Sequence, residues 1–310
     1  MAPDLDLTVM RRIHVVGVGG AGMSAIAEVL ATMGHEVTGS DLKASTGLER
    51  LRALGVTVRV GHDAANVGDA DLVTRSTAIA DNNVECRAAQ RRGIPLFSRA
   101  QMLGGICLLR DTVAVAGTHG KTTTASMLAL VLREAGLRPS FIIGGDVNEI
   151  GTGAAWDDGQ IFVVEADESD GSFLDLERRV AVVTNLEPDH LEYHGDFEGL
   201  RTAFRRFIEE TDGVTVVGID DEGGRRLAEG SGVVTVGTSV GATWRLESVD
   251  EAWEGVSFDL VGPGGECLPI QVPLPGLHNA RNAAVAAVVG LVLASPPEAV
   301  IDALARFGGV

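Results

Sequence analysis

The stretch that decides the fold is TVAVAGTHGKTTT, residues 112–124, where an apolar β-branched run passes into a glycine loop and then a helix beginning near Lys121. The N–H groups of such a loop and helix start converge on one point, where the helix dipole also favours negative charge. Lys121 adds a cation, and Thr122 adds a hydroxyl that can hold Mg²⁺. Val115 stands where the longer phosphate-loop spacing has glycine, so the loop is the shorter form Gly117-Thr-His-Gly-Lys-Thr122. The pattern predicts a nucleoside triphosphate site, with a plain strand-to-helix turn as the alternative.

Lysine usage favours the phosphate interpretation. Lysine occurs only at Lys43 and Lys121, and arginine supplies the other 23 of the 25 positive side chains. A compact ammonium on a flexible stem suits a phosphate, so its presence in this loop of an arginine-rich chain supports a phosphate-binding role.

The bulk composition limits the class of protein. A length of 310 residues with 45% hydrophobic residues predicts two α/β domains, which we place at 1–109 and 110–310. The formal charge of −18 disfavours general binding to nucleic acid or an anionic membrane. The chain has no apolar run of 18 residues and no signal-peptide pattern at its start, which predicts a cytoplasmic protein. The three isolated cysteines are expected to be buried, reduced thiols: Cys86, Cys107 and Cys267.

The first domain begins with a second glycine motif. In IHVVGVGGAGMS, residues 13–24, Gly17, Gly19 and Gly22 fit the spacing G-x-G-x-x-G, and the next strand ends at Asp41 about 20 residues later. By pattern alone NAD is the leading ligand, although such a turn suits any diphosphate. A tight turn without a ligand is the alternative.

Further strands alternate with helices, which predicts a doubly wound parallel sheet with ligands at the carboxyl ends of its strands. Ser76, Thr77 and His62 follow such strands, although His62 is explained more simply as a satisfied polar residue on the surface. A helix over residues 99–108 is expected to lead to the second domain.

Two buried strands of the second domain end in acidic clusters, over residues 160–170 and 180–190. Beside a phosphate loop, these clusters predict a floor for metal and nucleotide. Glu165 with Thr122 would hold Mg²⁺, and His190 would hold a second ion or the acyl oxygens. A solvated loop is the alternative for the first cluster, which comprises Glu165, Asp167, Glu168 and Asp170.

The remainder carries less chemistry. A helix is expected over residues 197–210, followed by five short strands between 214 and 272 that form a small antiparallel addition. Asn279 and Asn282 then lie three apart on one helical face, able to present amides to an adenine edge, although a helix cap explains Asn279 equally well.

Taken together, these stretches resemble the Mur ligases of peptidoglycan synthesis, in family order over nearly the whole chain. The stretches that carry the resemblance are GVGGAGMS at 17–24, GSD at 39–41, RAQML at 99–103, AVAGTHGKTTT at 114–124, EADESD at 165–170, residues 185–190 and HNARNA at 278–283. The resemblance implies an amino-terminal Rossmann-like parallel-sheet domain, followed by a P-loop ATP-binding α/β domain. It implies an ATP-dependent ligase that acts on UDP-N-acetylmuramate in the cytoplasm. L-Alanine is the amine that GGAGMS favours, and a murein tripeptide is the alternative.

The resemblance also assigns residues to ligands. The first domain would hold the UDP part of the substrate and no nicotinamide, through Gly19, Gly20, Ala21, Gly22, Asp41, Ser76 and Thr77. ATP would be bound by Gly117, Thr118, His119, Gly120, Lys121, Thr122, Thr123, Asn279 and Asn282. Catalysis would rest on Lys121, Glu165 and His190, and Mg²⁺ would be held by Thr122, Glu165 and His190.

The implied mechanism has two steps. The lactyl carboxylate of the muramyl group attacks the γ-phosphate to give an acyl phosphate, and the amine then displaces phosphate to form an amide. Positive charge placed in advance would stabilise the tetrahedral intermediate of the second step.

The sequence departs from the family at two places. Several members carry a carbamylated lysine in the helix after the metal histidine, where this chain has Arg205 and Arg206. Members also carry a third, carboxy-terminal domain that binds the amino acid, and this chain stops at Val310, where that domain should begin. We therefore expect a truncated form that binds both nucleotides and turns over poorly, or a catalytically silent binding module.

Overall fold

The computed structural model describes residues 5–189 and 191–310. The chain forms two compact units. The first ends at Leu109 and includes Ala154–Trp156, and the second comprises Arg110–Gly153 and Asp157–Val310. The predicted α/β class is confirmed, because a parallel sheet is followed by a larger, mixed one.

The first unit is a doubly wound sheet whose five described strands run parallel in the order β3-β2-β1-β4-β5. Its elements are β1 (Arg12–Val16), α1 (Ala21–Thr32), β2 (Glu36–Asp41), α2 (Thr46–Ala53), β3 (Thr57–Val60), β4 (Leu72–Arg75), α3 (Val84–Arg91), β5 (Leu96–Ser98) and α4 (Arg99–Cys107). The strand order reverses at β1, between β2 and β4. Ligands of such sheets bind outside the carboxyl ends of the strands at this point, which is where the first glycine loop lies.

A buried polar cluster supports the loop of the first unit. The carboxylate of Glu85 is fully buried and accepts hydrogen bonds from Ser40 (2.5 Å) and Asn66 (2.6 Å). His14 and His62 lie 3.4 and 3.3 Å from the same carboxylate. The interpretation of His62 as a surface residue is therefore wrong, because its side chain is only 11% exposed. Burial by itself raises the pKa of Glu85, but the hydrogen bonds from His14, Ser40 and Asn66 together lower it to about 2.

Glu85→Gln is expected to destabilise the first unit by about 3 kcal/mol at pH 6, because an amide N–H₂ group then faces buried donors. A carboxylate with a lowered pKa stabilises the fold above its unfolded pKa of 4.5 and loses that contribution as the pH falls towards 2. The difference between wild type and variant should therefore shrink between pH 5 and pH 2.5 in urea unfolding followed by circular dichroism. The exposed Glu49→Gln serves as control and should change stability by about 0.5 kcal/mol or less. A difference that does not change with pH would contradict the role given to the charge.

The second unit contributes nearly all of the larger sheet, whose described strands follow the order β15-β14-β13-β12-β11-β10-β6-β9-β7-β8. Its strands are β6 (Asp111–Ala116), β7 (Ser140–Val147), β8 (Thr152–Ala155), β9 (Ile161–Glu165), β10 (Val180–Val183), β11 (Val214–Gly218), β12 (Val234–Gly237), β13 (Trp244–Ala252), β14 (Gly255–Val261) and β15 (Cys267–Val272). Its helices are α5 (Lys121–Glu134), α6 (Leu191–His194), α7 (Phe197–Glu209), α8 (Glu222–Ala228), α9 (Leu277–Val292) and α10 (Pro297–Arg306).

Strand register brings the candidate site residues to one edge. β6 lies between β9 and β10, with Val115 opposite Glu165 and Ala116 opposite Val183. All three strands are parallel, so their carboxyl ends are level, and the segments that leave them meet. The sheet is covered by α5 and α9, whose buried faces are built largely from alanine, valine and leucine. The small side chains of alanine and valine let these helices pack close to the strands.

Several predictions need correction. β11 and β12 belong to the parallel part of the sheet, since α8 connects them, and the antiparallel pairs in this region are β13–β14 and β14–β15. Three helices and one strand were not predicted, namely α6, α8, α10 and β8. Cys267 is exposed at the start of β15, whereas Cys86 and Cys107 are buried as expected.

None of the helices among residues 5–189 and 191–310 is both long enough and apolar enough to span a bilayer.

Candidate functional site

The loop between β6 and α5 has a backbone that requires its glycines. Gly117 and Gly120 have φ angles of 130° and 81°, which disfavour any side chain. A Cβ at Gly117 would clash with Thr184, and one at Gly120 would clash with the amide of Asn282. No side chain caps the first turn of α5, so its N–H groups are available to an anion.

The segment that follows β10 holds this loop. The side chain of Asn185 accepts from the His119 N–H (2.9 Å) and donates to the His119 carbonyl (2.7 Å). Thr184 Oγ1 donates to the same carbonyl (2.6 Å), and the Thr118 N–H donates to the Asn185 carbonyl (3.2 Å). The N–H groups of Thr118 and His119 are thus already used, and the phosphate donors are expected among residues 120–123.

The predicted phosphate lysine forms a buried ion pair. Lys121 Nζ lies 2.9 and 3.0 Å from the two carboxylate oxygens of Glu168, which is only 1% exposed. The same nitrogen donates to the Gly117 carbonyl at 2.7 Å. In this structure the ammonium is therefore bonded entirely within the protein.

The predicted metal ligands Thr122 and Glu165 lie together. Thr122 Oγ1 donates to Glu165 Oε2 (3.1 Å), and the Gly144 N–H donates to Glu165 Oε1 (2.6 Å). Burial raises the pKa of Glu165 despite these hydrogen bonds, so a cation beside its carboxylate would be favourable. Two protein oxygens fit Mg²⁺, which usually keeps waters and binds substrate phosphates in addition.

His190, predicted as a further ligand and catalytic residue, lies outside the described residues. The described part of the chain contains no group of three or more His, Cys, Asp or Glu side chains able to hold a metal.

The four acids at the end of β9 and directly after it fall into three groups according to their contacts. Glu165 contacts Thr122 and Glu168 contacts Lys121. Asp167 and Asp170 are exposed and accept from the Ser169 and Ser172 N–H groups, 3.0 Å each. The interpretation as a solvated loop therefore fits only these last two acids.

A cavity of about 610 Å³ adjoins the loop and is large enough for a nucleotide. Asn279 and Asn282 line it from α9, and His119 and Gly120 line it from the loop. Asn279 Nδ2 donates to the Pro275 carbonyl (2.8 Å), which leaves its oxygen and its second amide hydrogen as the groups able to face a ligand. The apolar part of the wall is formed by Ile219, Val236, Leu246 and Val285.

The glycine loop of the first unit is held by the end of β2. The N–H groups of Gly17 and Val18 donate to the Ser40 carbonyl at 2.8 and 3.0 Å. The Gly19 N–H donates to Asp41 Oδ2 at 2.9 Å, and a Cβ at Gly19 would lie 2.8 Å from that oxygen. The acid at the end of β2 therefore fixes the loop directly.

The first turn of α1 follows this loop and has no side-chain cap. Gly20 and Ala21 are exposed there. The Ser76 N–H donates to the Val16 carbonyl (3.0 Å), which places Ser76 beside the loop, and the exposed Thr77 follows it. The predicted UDP-sugar residues thus surround the carboxyl end of β1.

Arg99 is a residue that sequence reasoning did not select for this site. A Cβ at Gly22 would lie only 3.0 Å from Arg99 Nε and 3.2 Å from its Cζ, so the guanidinium lies against the first turn of α1. Within the described residues this guanidinium forms no hydrogen bond or ion pair. The guanidinium and the positive end of the α1 dipole repel each other unless an anion lies between them. The position of Arg99 beside the start of α1 therefore favours an anionic ligand.

The chain matches two family profiles. Residues 115–290 match the profile described as Mur ligase middle domain, and residues 12–110 match that described as Mur ligase family, catalytic domain. A curated relative from Thermobifida fusca, named UDP-N-acetylmuramate–L-alanine ligase, is 45% identical over 98% of this chain and 66% of its own length. The chain thus spans about two thirds of the length of such relatives.

Two solved structures are similar to the whole chain. The UDP-N-acetylmuramate-alanine ligase of Thermotoga maritima has a TM-score of 0.86 and 31% identity, over 97% of this chain and 69% of that one. The UDP-N-acetylmuramate:L-alanyl-gamma-D-glutamyl-meso-diaminopimelate ligase of Neisseria meningitides has a TM-score of 0.85 and 29% identity, over 97% and 99%.

Proposed function

Because this chain belongs to the Mur ligase family, we propose that it takes part in peptidoglycan synthesis as an ATP-dependent ligase that joins L-alanine to UDP-N-acetylmuramate. The observation that carries the proposal is the uncapped start of α5, where Lys121 and the Thr122–Glu165 pair lie beside a nucleotide-sized cavity. The 45% identity to a relative named for this reaction supports the choice of substrates. The proposal places the chain in the cytoplasm, with no nucleic-acid or membrane partner.

The second unit would activate the carboxylate. The adenine end of ATP would lie in the cavity beside Asn279 and Asn282, and the phosphates would lie at the N–H groups of residues 120–123. Thr122 and Glu165 would hold Mg²⁺, which supplies positive charge to the phosphate oxygens when bound. The lactyl carboxylate oxygen then bonds to the γ-phosphorus, and the bond from phosphorus to the β–γ bridging oxygen breaks to release ADP.

The second step forms the amide. The nitrogen of the amino acid attacks the acyl carbon, inorganic phosphate leaves with the oxygen it shared with that carbon, and the nitrogen loses a proton. The contribution of Lys121 is to neutralise charge on the phosphate that is transferred and then released. The chain needs no covalent intermediate of its own for either step.

The first unit would hold the nucleotide sugar. Its diphosphate would meet the N–H groups at the start of α1 and the guanidinium of Arg99, which lies against Gly22. Asp41 would act mainly by fixing the loop through the Gly19 N–H. Ser76 and Thr77 would lie near the nucleoside or sugar.

We expect Arg99→Met to weaken UDP-N-acetylmuramate binding about tenfold, because the variant keeps the apolar stem but removes the charge facing the diphosphate. Isothermal calorimetry measures the change. Uridine lacks the diphosphate and should bind wild type and variant alike.

The control for this variant is Arg91→Met, which removes an exposed arginine of the same unit and should leave the affinity unchanged. Equal affinity of wild type and Arg99→Met for UDP-N-acetylmuramate would remove Arg99 from the site.

The choice of amine is tested by product analysis. The chain is incubated with UDP-N-acetylmuramate, Mg-ATP and either L-alanine or the tripeptide L-alanyl-γ-D-glutamyl-meso-diaminopimelate, and nucleotide products are identified by mass spectrometry. An L-alanine adduct formed together with ADP supports the proposal, and a tripeptide adduct supports the alternative ligase. Binding of both nucleotides without any adduct supports the binding-module interpretation. Failure of both nucleotides to bind contradicts all three.

A further inference from the structure

The ammonium of Lys121 has no hydrogen left for a ligand. An ammonium group has three hydrogens to donate. Its three acceptors are the Gly117 carbonyl at 2.7 Å and the two oxygens of Glu168 at 2.9 and 3.0 Å. A phosphate oxygen can bond to this nitrogen only if one of these acceptors is given up.

Glu168 is a fixed part of the site. Its side chain is only 1% exposed, and its backbone carbonyl accepts from His194 Nε2 at 2.8 Å. It lies in a short 3₁₀ turn whose start is capped by Asp167, which accepts from the Ser169 N–H. A buried carboxylate held in this way cannot move into water without rearranging the turn, so its charge stays beside Lys121.

We propose that Glu168 holds Lys121 in a resting position, and that the ammonium must give up a hydrogen bond to this carboxylate and turn to the phosphates of the nucleotide before Lys121 can act. This inference rests on the proposed ATP site. It makes Glu168 a positioning residue, which acts through Lys121 and sets how readily the loop accepts a polyphosphate.

The direction of the Lys121 side chain indicates that Glu168 competes with a phosphate for the ammonium and does not aim the ammonium at the phosphate site. A carboxylate that aimed the ammonium at the start of α5 would leave one of its hydrogens unbonded and facing the N–H groups there. The third hydrogen instead bonds to the Gly117 carbonyl, at the opposite end of the loop. The ion pair therefore lowers the fraction of molecules that are ready to bind, and the apparent dissociation constant rises in inverse proportion to that fraction.

The first test measures Lys121 directly and needs no nucleotide. Lys121 and Lys43 are the only lysines of the chain, and Lys43 is exposed, so it provides an internal reference. The protein is treated with a limiting amount of an acetylating reagent, and the modified peptides are quantified by mass spectrometry. Glu168→Gln keeps the shape of the side chain but removes its charge, and should raise labelling of Lys121 relative to Lys43 about fivefold or more. The matched control Asp170→Asn removes an exposed acid from the same turn and should leave the ratio unchanged.

The second test measures nucleotide affinity by calorimetry. Glu168→Gln should bind Mg-ATP about tenfold more tightly than wild type, as expected if the ammonium is free in about one molecule in ten. Adenosine has no phosphates and should bind both proteins equally. If Glu168 had only a structural role, the variant would bind adenosine with altered affinity as well.

The outcomes separate the inference from the proposed function. Two results for Glu168→Gln would overturn the proposed competition between Glu168 and the phosphates for Lys121. The first is unchanged labelling of Lys121, and the second is an affinity for Mg-ATP that is equal to or weaker than that of wild type. Increased labelling without any Mg-ATP binding by wild type would support the resting ion pair and overturn the ATP site. Increased labelling with tighter Mg-ATP binding supports both.

Discussion

Lys121→Met is expected to weaken Mg-ATP binding by about 1,000-fold, which corresponds to about 4 kcal/mol. Methionine preserves the length and apolar stem of the side chain but removes the cation at the start of α5. Lys121 is not among the residues that line the cavity, so adenosine should bind as it does to wild type. Calorimetry with both ligands measures the two effects separately.

The same variant should also be less stable. Removing Lys121 leaves the carboxylate of Glu168 buried without its cation, which typically destabilises a protein by about 3 to 5 kcal/mol. The double variant Lys121→Met/Glu168→Gln removes both charges and should recover most of this stability in urea unfolding, without recovering Mg-ATP binding. A double variant that binds Mg-ATP like wild type would show that Lys121 is a structural residue only.

Glu165→Gln is expected to abolish most of the gain in ATP affinity that Mg²⁺ provides, and to reduce any phosphate release by about 100-fold. The amide can still accept from the Gly144 N–H, so the loop should keep its shape, but the charge that attracts the cation is lost. ATP is titrated in Mg²⁺ and in excess EDTA, and the ratio of the two affinities is compared between wild type and variant.

Stability should change in the opposite direction from function in this variant. Burial raises the pKa of Glu165, so its ionised form opposes folding above the unfolded pKa, and the penalty is present at neutral pH. Glu165→Gln should therefore unfold at a urea concentration equal to or higher than wild type. Asp170→Asn is the control, and should alter neither stability nor the Mg²⁺ ratio. A variant that keeps the full Mg²⁺ ratio would remove Glu165 from the metal site.

Backbone-encoded features could be predicted from the sequence. Local sterics determine the positive φ angles of Gly117 and Gly120, and they also favour the β-branched strand before these glycines and the helix after them. The loop and its helix were therefore placed correctly. The carboxyl ends of parallel strands share one edge, which is why Glu165 and Thr122 were expected to meet and do so. The resemblance to a family added the choice of ligands, which local patterns alone left open.

Features that depend on side-chain partners across the fold could not be predicted. Asn185 was noted only as part of a motif, because nothing in its neighbourhood shows that its amide bonds to His119, 66 residues away. Glu168 was grouped with three other acids, although it alone is buried against Lys121. Arg99 lies far along the chain from the glycine loop that it contacts. The short helix α8 was missed because Gly223 and Gly224 in its first turn have low helix propensity. Without this helix between them, β11 and β12 were assigned to the antiparallel group.

The central claim is that the two units bind two different nucleotides, a UDP-sugar on the first and Mg-ATP on the second. The most direct test is isothermal calorimetry of the wild-type chain with UDP-N-acetylmuramate and, separately, with Mg-ATP, repeated for Arg99→Met and Lys121→Met. We predict one site for each ligand in wild type, with Arg99→Met weakening only the UDP-sugar and Lys121→Met weakening only Mg-ATP. No binding of either ligand, or binding of NADH by the first unit in place of the UDP-sugar, would contradict this account.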